Sequence, residues 1–268
     1  MAAADISTDA FDLNKRLRGR PVAADAIVVG DLASAQQCAD MIGDAERQLG
    51  RITLLINNAT AQRKLQPFAT LSSAACQHFV NTDLLAPIFL AQAALPSLSA
   101  SKGHIINVSS VRVNSIQRGG LLYSTVKGAV ETMTRAMAVE FAEYGVRANA
   151  VRVGAIAGDS FLRPVLATLP GTMAKRLRGT VMAQRLRYLN RDSISKTVGA
   201  PEDIAAIVAF LASTGASFVN GAVWSADGAY TLLHSTSGQS NGQSHDPVHA
   251  RWTKDPQGEL KRWLKTQR

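Results

Sequence analysis

Residues Ser109 to Lys127 read SSVRVNSIQRGGLLYSTVK. The segment follows an apolar run, His104-Ile-Ile-Asn-Val108, that reads as a buried strand, and it ends inside a long helical pattern. Tyr123 and Lys127 are four residues apart, so on a helix they share one face. Ser110 precedes Tyr123 by thirteen residues and falls at the exit of the strand. A fold that sets a strand end beside a helix start gathers a hydroxyl, a phenol and an ammonium in one pocket. A cation beside a phenol favours phenolate and lowers the pKa from its ordinary value of about 10. A phenol tuned in that way exchanges a proton with a bound alcohol or carbonyl near neutral pH. Tyr-x3-Lys alone is common on helices, so this reading depends on whether the rest of the chain builds the pocket.

The chain has 268 residues, 46% of them hydrophobic, enough for one large α/β domain. Its two cysteines, Cys38 and Cys76, lie in helical patterns and read as reduced thiols, which suits a cytoplasmic setting. Met1–Asp12 carries three acids and no apolar core of a signal peptide. No uninterrupted apolar run reaches the length of a membrane span, so no membrane partner is expected. A net charge of +9 makes the surface basic, which suits anionic ligands without specifying a nucleic-acid site.

Working outward from the opening segment, strand and helix patterns alternate. Thr8–Arg18 is a weak helix pattern, broken at Gly19-Arg20-Pro21. Ala26–Val29 is a short apolar strand. Ser34–Leu49 is a helix with Ser34 placed to cap it and an apolar face of Cys38, Met41, Ile42, Ala45 and Leu49. Ile52–Ile56 is a strand that leads into Asn57-Asn58-Ala59. Ser72–Leu98 is a helix expected to kink at Pro87, with Asn81 ahead of the kink. Ile105–Val108 is a strand and Tyr123–Tyr144 a helix ended by Gly145. Val146–Val153 is a strand, Glu202–Ala212 a helix and Ala222–Ala226 a last strand. The alternation predicts an α/β fold, a doubly wound and mostly parallel sheet of Rossmann-like type. Ligands of such sheets bind beyond the carboxyl ends of the strands. Asp31, Asn57, Ser110 and Gly154 all follow strands directly.

These pieces, in this order and spacing, resemble the short-chain dehydrogenase/reductase family. The matching residues are Asp31-Leu32, Asn57-Asn58-Ala59, Asn81, Ser109-Ser110, Tyr123-x3-Lys127, Arg147-Ala148-Asn149, Gly199-x-Pro201-Glu202-Asp203, Asn220-Gly221 and Asp227-Gly228. The resemblance covers roughly residues 26 to 230. It implies an oxidoreductase that moves hydride between NADP or NAD and a carbonyl or secondary alcohol of a small-molecule substrate. In that role Tyr123 is the acid/base, Ser110 holds the substrate oxygen, and Lys127 tunes Tyr123 and contacts the nicotinamide ribose. Asn81 supports a water that links Lys127 to solvent. Asp31 and Leu32 meet the adenine, Asn58 and Ala59 line the adenosine ribose, and Gly154 and Ile156 approach the carboxamide. No metal is implied. A homo-oligomer, dimer or tetramer, or a hetero-oligomer with a complete relative, is implied through the long helices that follow Asn58 and begin at Tyr123.

The departures from the family pattern are as informative. Before Gly103 the only glycines are Gly19, Gly30, Gly43 and Gly50, too scattered for the Gly-x3-Gly-x-Gly turn that aims a helix N-terminus at a pyrophosphate. The first strand, that turn and the second strand are therefore expected to be absent. Loss of a central strand leaves its neighbours with unpaired ladder groups. Thr60 stands where the family has glycine, Val153 where it has proline, and Gly158 where it has a cofactor-facing threonine. These losses keep two alternatives open: a cofactor-independent isomerase, dehydratase or cyclase on the same scaffold, or a non-catalytic partner subunit.

The segment 159–196 takes the place of a substrate-binding loop. Its many cations read as a basic lid over an anionic substrate or, more commonly for charge runs, as the solvated face of surface helices. Its apolar residues, Phe161 to Leu189, then face the substrate. The main domain is expected to span residues 1–234. Ser235–Ser244 reads as a flexible linker, and residues 235–268 form that linker and a basic tail.

Overall fold

The computed structural model describes residues 2–5, 26–61, 66–157 and 198–232. The expected helix at Thr8–Arg18, the 159–196 loop, Gly158 and the tail lie outside the described residues. The chain divides into two compact units. One holds Met1–Arg152 with Ile207–Trp224, and the other Val153–Ala206 with Ser225–Arg268.

In the first unit, β1 (Ala2–Asp5) pairs in parallel with β2 (Ala26–Val29), Ala2 opposite Ala26 and Asp5 opposite Val29. Helix α1 (Ala35–Leu49) follows. The Ser34 hydroxyl accepts from the Gln37 amide at 3.3 Å, the expected cap. Strand β3 (Leu54–Asn57) leads to α2 (Ser73–Val80), capped by Ser72 in the same way. A single π turn, Asn81–Leu85, joins α2 to α3 (Ala86–Ser101). Then come β4 (His104–Ser110), α4 (Leu121–Glu140) and β5 (Arg147–Val153). Helix α5 (Pro201–Ala212) and strand β6 (Val223–Ala226) complete the order.

Four strands form one sheet in the order β3-β4-β5-β6, with β3 and β4 parallel and Asn57 opposite Asn107. Strands β1 and β2 form a separate two-stranded sheet. In the doubly wound order 3-2-1-4-5-6, the neighbour of strand three is strand two. The residues of β2 match the third strand, so β1 stands in the place of the second. This corrects the expectation that the second strand is missing. The division between the sheets falls where strand one would run. At that division Val29 and Ile56 are large apolar residues left more than two-fifths exposed.

The proline kink takes a specific form. Pro87 has no N–H to meet the Asp83 carbonyl four residues back. The helix accommodates this by one wider turn, in which the Ala86 amide reaches the Asn81 carbonyl. Such turns insert one residue into a helix and re-aim the side chains around them. One helix among the described residues is long and apolar enough by length and composition to cross a membrane. Ser73–Ser101 is a continuous helical stretch of 29 residues, with an 18-residue window of mean hydropathy 1.5. Within the fold it packs on α1, β3, β4 and α4, and a buried carboxylate sits in its π turn. It is a core helix of this unit.

Two clusters make that core. Ile42, Ala91, Ala94, Leu98, Ile105, Met137, Val146 and Ala148 join α1, α3, α4, β4 and β5. Val28, Leu32, Cys38, Met41 and Ala86 pin β2 and α1 to the start of α3. The Arg147-Ala-Asn149 and Asn220-Gly221 motifs prove to be straps. Arg147 donates to the carbonyls of Val219 and Leu211 at 2.8 and 2.9 Å. Asn149 donates to the Val219 carbonyl and accepts from the Ala222 amide, and the Asn220 side chain bridges Ala148 and Ala138.

Candidate active site

Strand β4 ends on Ser110, whose hydroxyl accepts from the Arg112 amide at 3.3 Å and so starts a short 3-10 turn, Val111–Val113. Ser110 is buried. Chain direction reverses through the 114–120 loop, where Gly119 at φ 76° adopts a conformation costly for residues with a Cβ. Helix α4 starts at Leu121, so Tyr123 lies in its first turn and Lys127 in its second.

Tyr123 and Lys127 share a face, as their spacing requires. The Lys127 ammonium lies 5.9 Å from the centre of the Tyr123 ring. Phe79 of α2 meets the same ring edge-to-face, with centroids 6.3 Å apart. The half-buried phenol is thus wedged between an apolar ring and a cation, a contact that contributes orientation as well as attraction.

Lys127 is itself buried, and its ammonium is held in two ways. It donates to the Val108 carbonyl at 3.2 Å and pairs with the Asp83 carboxylate at 3.2 Å. The paired side chains are only 5% and 0% exposed, which makes this an ion pair of the interior. Removing one partner of such a pair leaves a buried charge uncompensated. Asp83 has further partners. Its Oδ2 accepts from the Ala61 amide at 2.7 Å, and its Oδ1 accepts from the Thr60 hydroxyl. The carboxylate therefore joins the loop after β3, the π turn and α4.

Asp83 is the residue that sequence reasoning missed. The available signal was an acid inside an apolar helical run, two residues past Asn81 and four before Pro87. Asn81 opens the same π turn, and its side-chain oxygen accepts from Gln77 at 2.6 Å. The direct side-chain partner of Lys127 is Asp83.

One turn beyond Lys127, Glu131 is also buried. Arg152 donates to both its oxygens, at 2.8 and 2.7 Å, and the Ser109 hydroxyl donates to it at 2.8 Å. This network fixes α4 to the ends of β4 and β5 and so fixes the height of Lys127.

The nucleotide side is more open. Asp31, just after β2, is exposed, and its Oδ1 accepts from the Ala33 amide at 2.9 Å, while Leu32 is buried in the core. Asn58, Ala59 and Thr60, just after β3, are exposed. These exposed positions follow β2 and β3, and the resemblance assigns them to the adenosine half of a dinucleotide. The donor set for a pyrophosphate, a glycine-rich turn, is not written in the sequence. In the second unit, Gly154 donates to the Ala226 carbonyl at 2.9 Å. A Cβ there would sit 2.7 Å from Asp227 Cα, so glycine is needed at this position for packing alone. Ile156 forms an isolated bridge to Gly199, made through the Ala155 carbonyl and the Ala157 amide on either side of it. Among the described residues no cluster of metal-ligating side chains occurs.

The fold and this site define a Rossmann-like α/β protein with a Ser, Tyr and Lys set at the carboxyl edge of its sheet. A family model described as enoyl-(acyl carrier protein) reductase matches residues 1–231. The chain belongs to the short-chain dehydrogenase/reductase family, a family of NAD(P)-dependent oxidoreductases. It is 32% identical over 230 residues to cis-4-hydroxycyclohexanecarboxylate dehydrogenase of Sinomonas cyclohexanicum, covering 85% of each chain. It is also 32% identical to meso-2,3-butanediol dehydrogenase of Serratia marcescens, over 71% of this chain and 69% of that one. A gluconate 5-dehydrogenase structure from Burkholderia cenocepacia, in complex with NADP and tartrate, superposes with a TM-score of 0.70. That match has 27% identity and covers 86% of this chain and 85% of the other.

Proposed function

We propose that this protein oxidises a secondary alcohol of a small molecule, or reduces the matching ketone, with Tyr123 as acid/base. The observation that carries this reading is the Phe79–Tyr123–Lys127–Asp83 arrangement at the end of β4, where the Val108 carbonyl accepts from Lys127, built on the fold of a dehydrogenase family. A nicotinamide, when bound, would supply or accept the hydride. The chain's own residues do the rest. The Ser110 hydroxyl orients the substrate oxygen at the strand end. Tyr123 takes the hydroxyl proton during oxidation and returns it during reduction. Lys127 offsets the negative charge that develops on the phenol oxygen. Asp31, Asn58 and Ala59 would line the adenosine half of the dinucleotide, with Leu32 packed in the core behind Asp31.

The place of β1 favours NAD over NADP. The strand ends on Asp5, the position at which dinucleotide folds carry the acid that bonds a ribose 2′-hydroxyl. A cytoplasmic homo-oligomer completes the proposal. Phe68, Ile116 and Leu121 are exposed apolar residues that line a groove of about 900 Å³ with Ser124 and Thr125. Phe68 begins a short 3-10 turn, Ile116 lies on the 114–120 loop and Leu121 opens α4, and a second copy would cover them.

The test is a screen of cyclic and acyclic secondary alcohols and hydroxy acids with NAD and NADP, following absorbance of the reduced cofactor. Oxidation of at least one alcohol by the wild type and its loss in Tyr123→Phe supports the reading. Activity that survives Tyr123→Phe contradicts it.

A further inference from the structure

We propose that Asp83, locked in place by Thr60, is a positioning residue that sets how much of the Lys127 charge Tyr123 feels. The proposal deepens the oxidoreductase reading and rests on it for the role of Tyr123. Its basis is a chain of contacts. Asp83 is 1% exposed and pairs with Lys127 at 3.2 Å. Its Oδ1, the oxygen that meets Lys127, also accepts from the Thr60 hydroxyl, and its Oδ2 accepts from the Ala61 amide. A carboxylate that bonded only Lys127 would neutralise most of that ammonium. One that also accepts two hydrogen bonds from the 60–61 loop shares its charge, and Lys127 keeps more of its own for the phenol.

Thr60 makes this device a property of this chain. The resemblance places glycine there, which has no hydroxyl to donate. A threonine at that position with a carboxylate within hydrogen-bond reach is a matched pair, 23 residues apart in sequence. Asp83 lies within the π turn, buried among its residues.

Among the described residues, Asp83 is the carboxylate paired with Lys127, and the neighbouring groups differ from it in kind. Helix α2 contributes the apolar Phe79. Strand β4 contributes the Val108 carbonyl and the hydroxyls of Ser109 and Ser110, none of which titrates in the working range. Arg112 is bonded to the Ser115 carbonyl. Glu131 is matched by Arg152 through two bonds.

Two substitutions should act in opposite directions. Asp83→Asn removes the negative charge beside the pair. The first proton to leave the Tyr123–Lys127 pair should then do so at lower pH, by about one unit. Thr60→Val removes a donor from Asp83, strengthens the carboxylate's hold on Lys127 and should move the same step to higher pH, by roughly a few tenths of a unit. The step is read by NMR of protein labelled with carbon-13 at the tyrosine ring, with Tyr123→Phe assigning the signal. The acid limb of kcat/KM for alcohol oxidation should follow it.

Opposite shifts in the two variants support the proposal. An unmoved titration in either variant, whatever its change in Tm, overturns it and leaves Asp83 a purely structural ion. If Asp83→Asn does not fold, Thr60→Val decides alone, an upward shift supporting and no shift overturning. The NMR reading needs no turnover. If no alcohol is oxidised while the titration behaves as expected, the oxidoreductase reading fails and the lock stands.

Discussion

The two halves of the candidate site are built in contrasting ways. The charged side chains beside Tyr123 are enclosed. Lys127, Asp83, Glu131, Ser109 and Ser110 are buried, and a continuous set of bonds from Thr60 to Arg152 runs through the first four of them. At the nucleotide side the residues sit on exposed strand ends, and the sheet beneath them is divided between β2 and β3. The difference teaches where each function gets its precision. On the proposed reading, proton transfer depends on ångström placement of one phenol, and that phenol lies beside interior charges. On the same reading a nucleotide would meet loops at two sheet edges, whose relation is not fixed by strand pairing among the described residues.

The sharpest way to break this contrast is Tyr123→Phe. It removes one hydroxyl from the enclosed half, and kcat/KM should fall by about 10²–10⁴ while circular dichroism and Tm stay unchanged. A large loss of Tm would mean that the phenol is a structural group. Next is Lys127→Met. It strands Asp83 as a buried charge, and stability should fall by about 3–5 kcal/mol in denaturant titrations. The double variant with Asp83→Asn should recover much of that loss, a coupling that a thermodynamic cycle would measure.

Equivalent substitutions on the open half should cost far less. Asp31→Ala loses an exposed turn bond to Ala33, and stability should change by about 0.5–1 kcal/mol at most. The KM for the cofactor should rise several-fold with kcat little changed. A collapse of kcat instead would show that the open half is coupled to the chemistry.

The smallest expected effect concerns His104 at the start of β4. Burial, and secondly the Arg147 guanidinium, hold its imidazole below the usual value of about 6.5. The folded state therefore binds a proton less readily than the unfolded chain. The resulting stability is present above about pH 6.5 and is lost as the pH falls through that value toward the lower folded one. Thermal melts from pH 7.5 to 5.5 should fall slightly less for His104→Gln than for the wild type.

Much of this was legible in the sequence, for identifiable reasons. Tyr123 and Lys127 could be paired because a helix repeats every 3.6 residues and α4 is regular from Leu121 to Glu140. Ser110 could be placed because an apolar run fixes where β4 ends. Asp83 could not be paired with Lys127, because its direction depends on a π turn whose register no periodicity encodes. Strand β1 was invisible for another reason. Ala-Ala-Ala-Asp has little strand preference of its own, and only its pairing with Ala26–Val29 makes it a strand. The Arg147, Asn149 and Asn220 motif was visible as a pattern. Its work in strapping β5 to residues 219–222 required the hydrogen bonds.

The most direct test of the whole account is a fluorescence titration of the purified protein with NADH and with NADPH. Saturable binding of both, NADH the tighter, with affinity retained in Tyr123→Phe, is the predicted result. It would show that the open edge still holds a dinucleotide beside the enclosed acid/base set. No binding of either at millimolar concentration would contradict the account and leave Tyr123 to proton chemistry without hydride transfer.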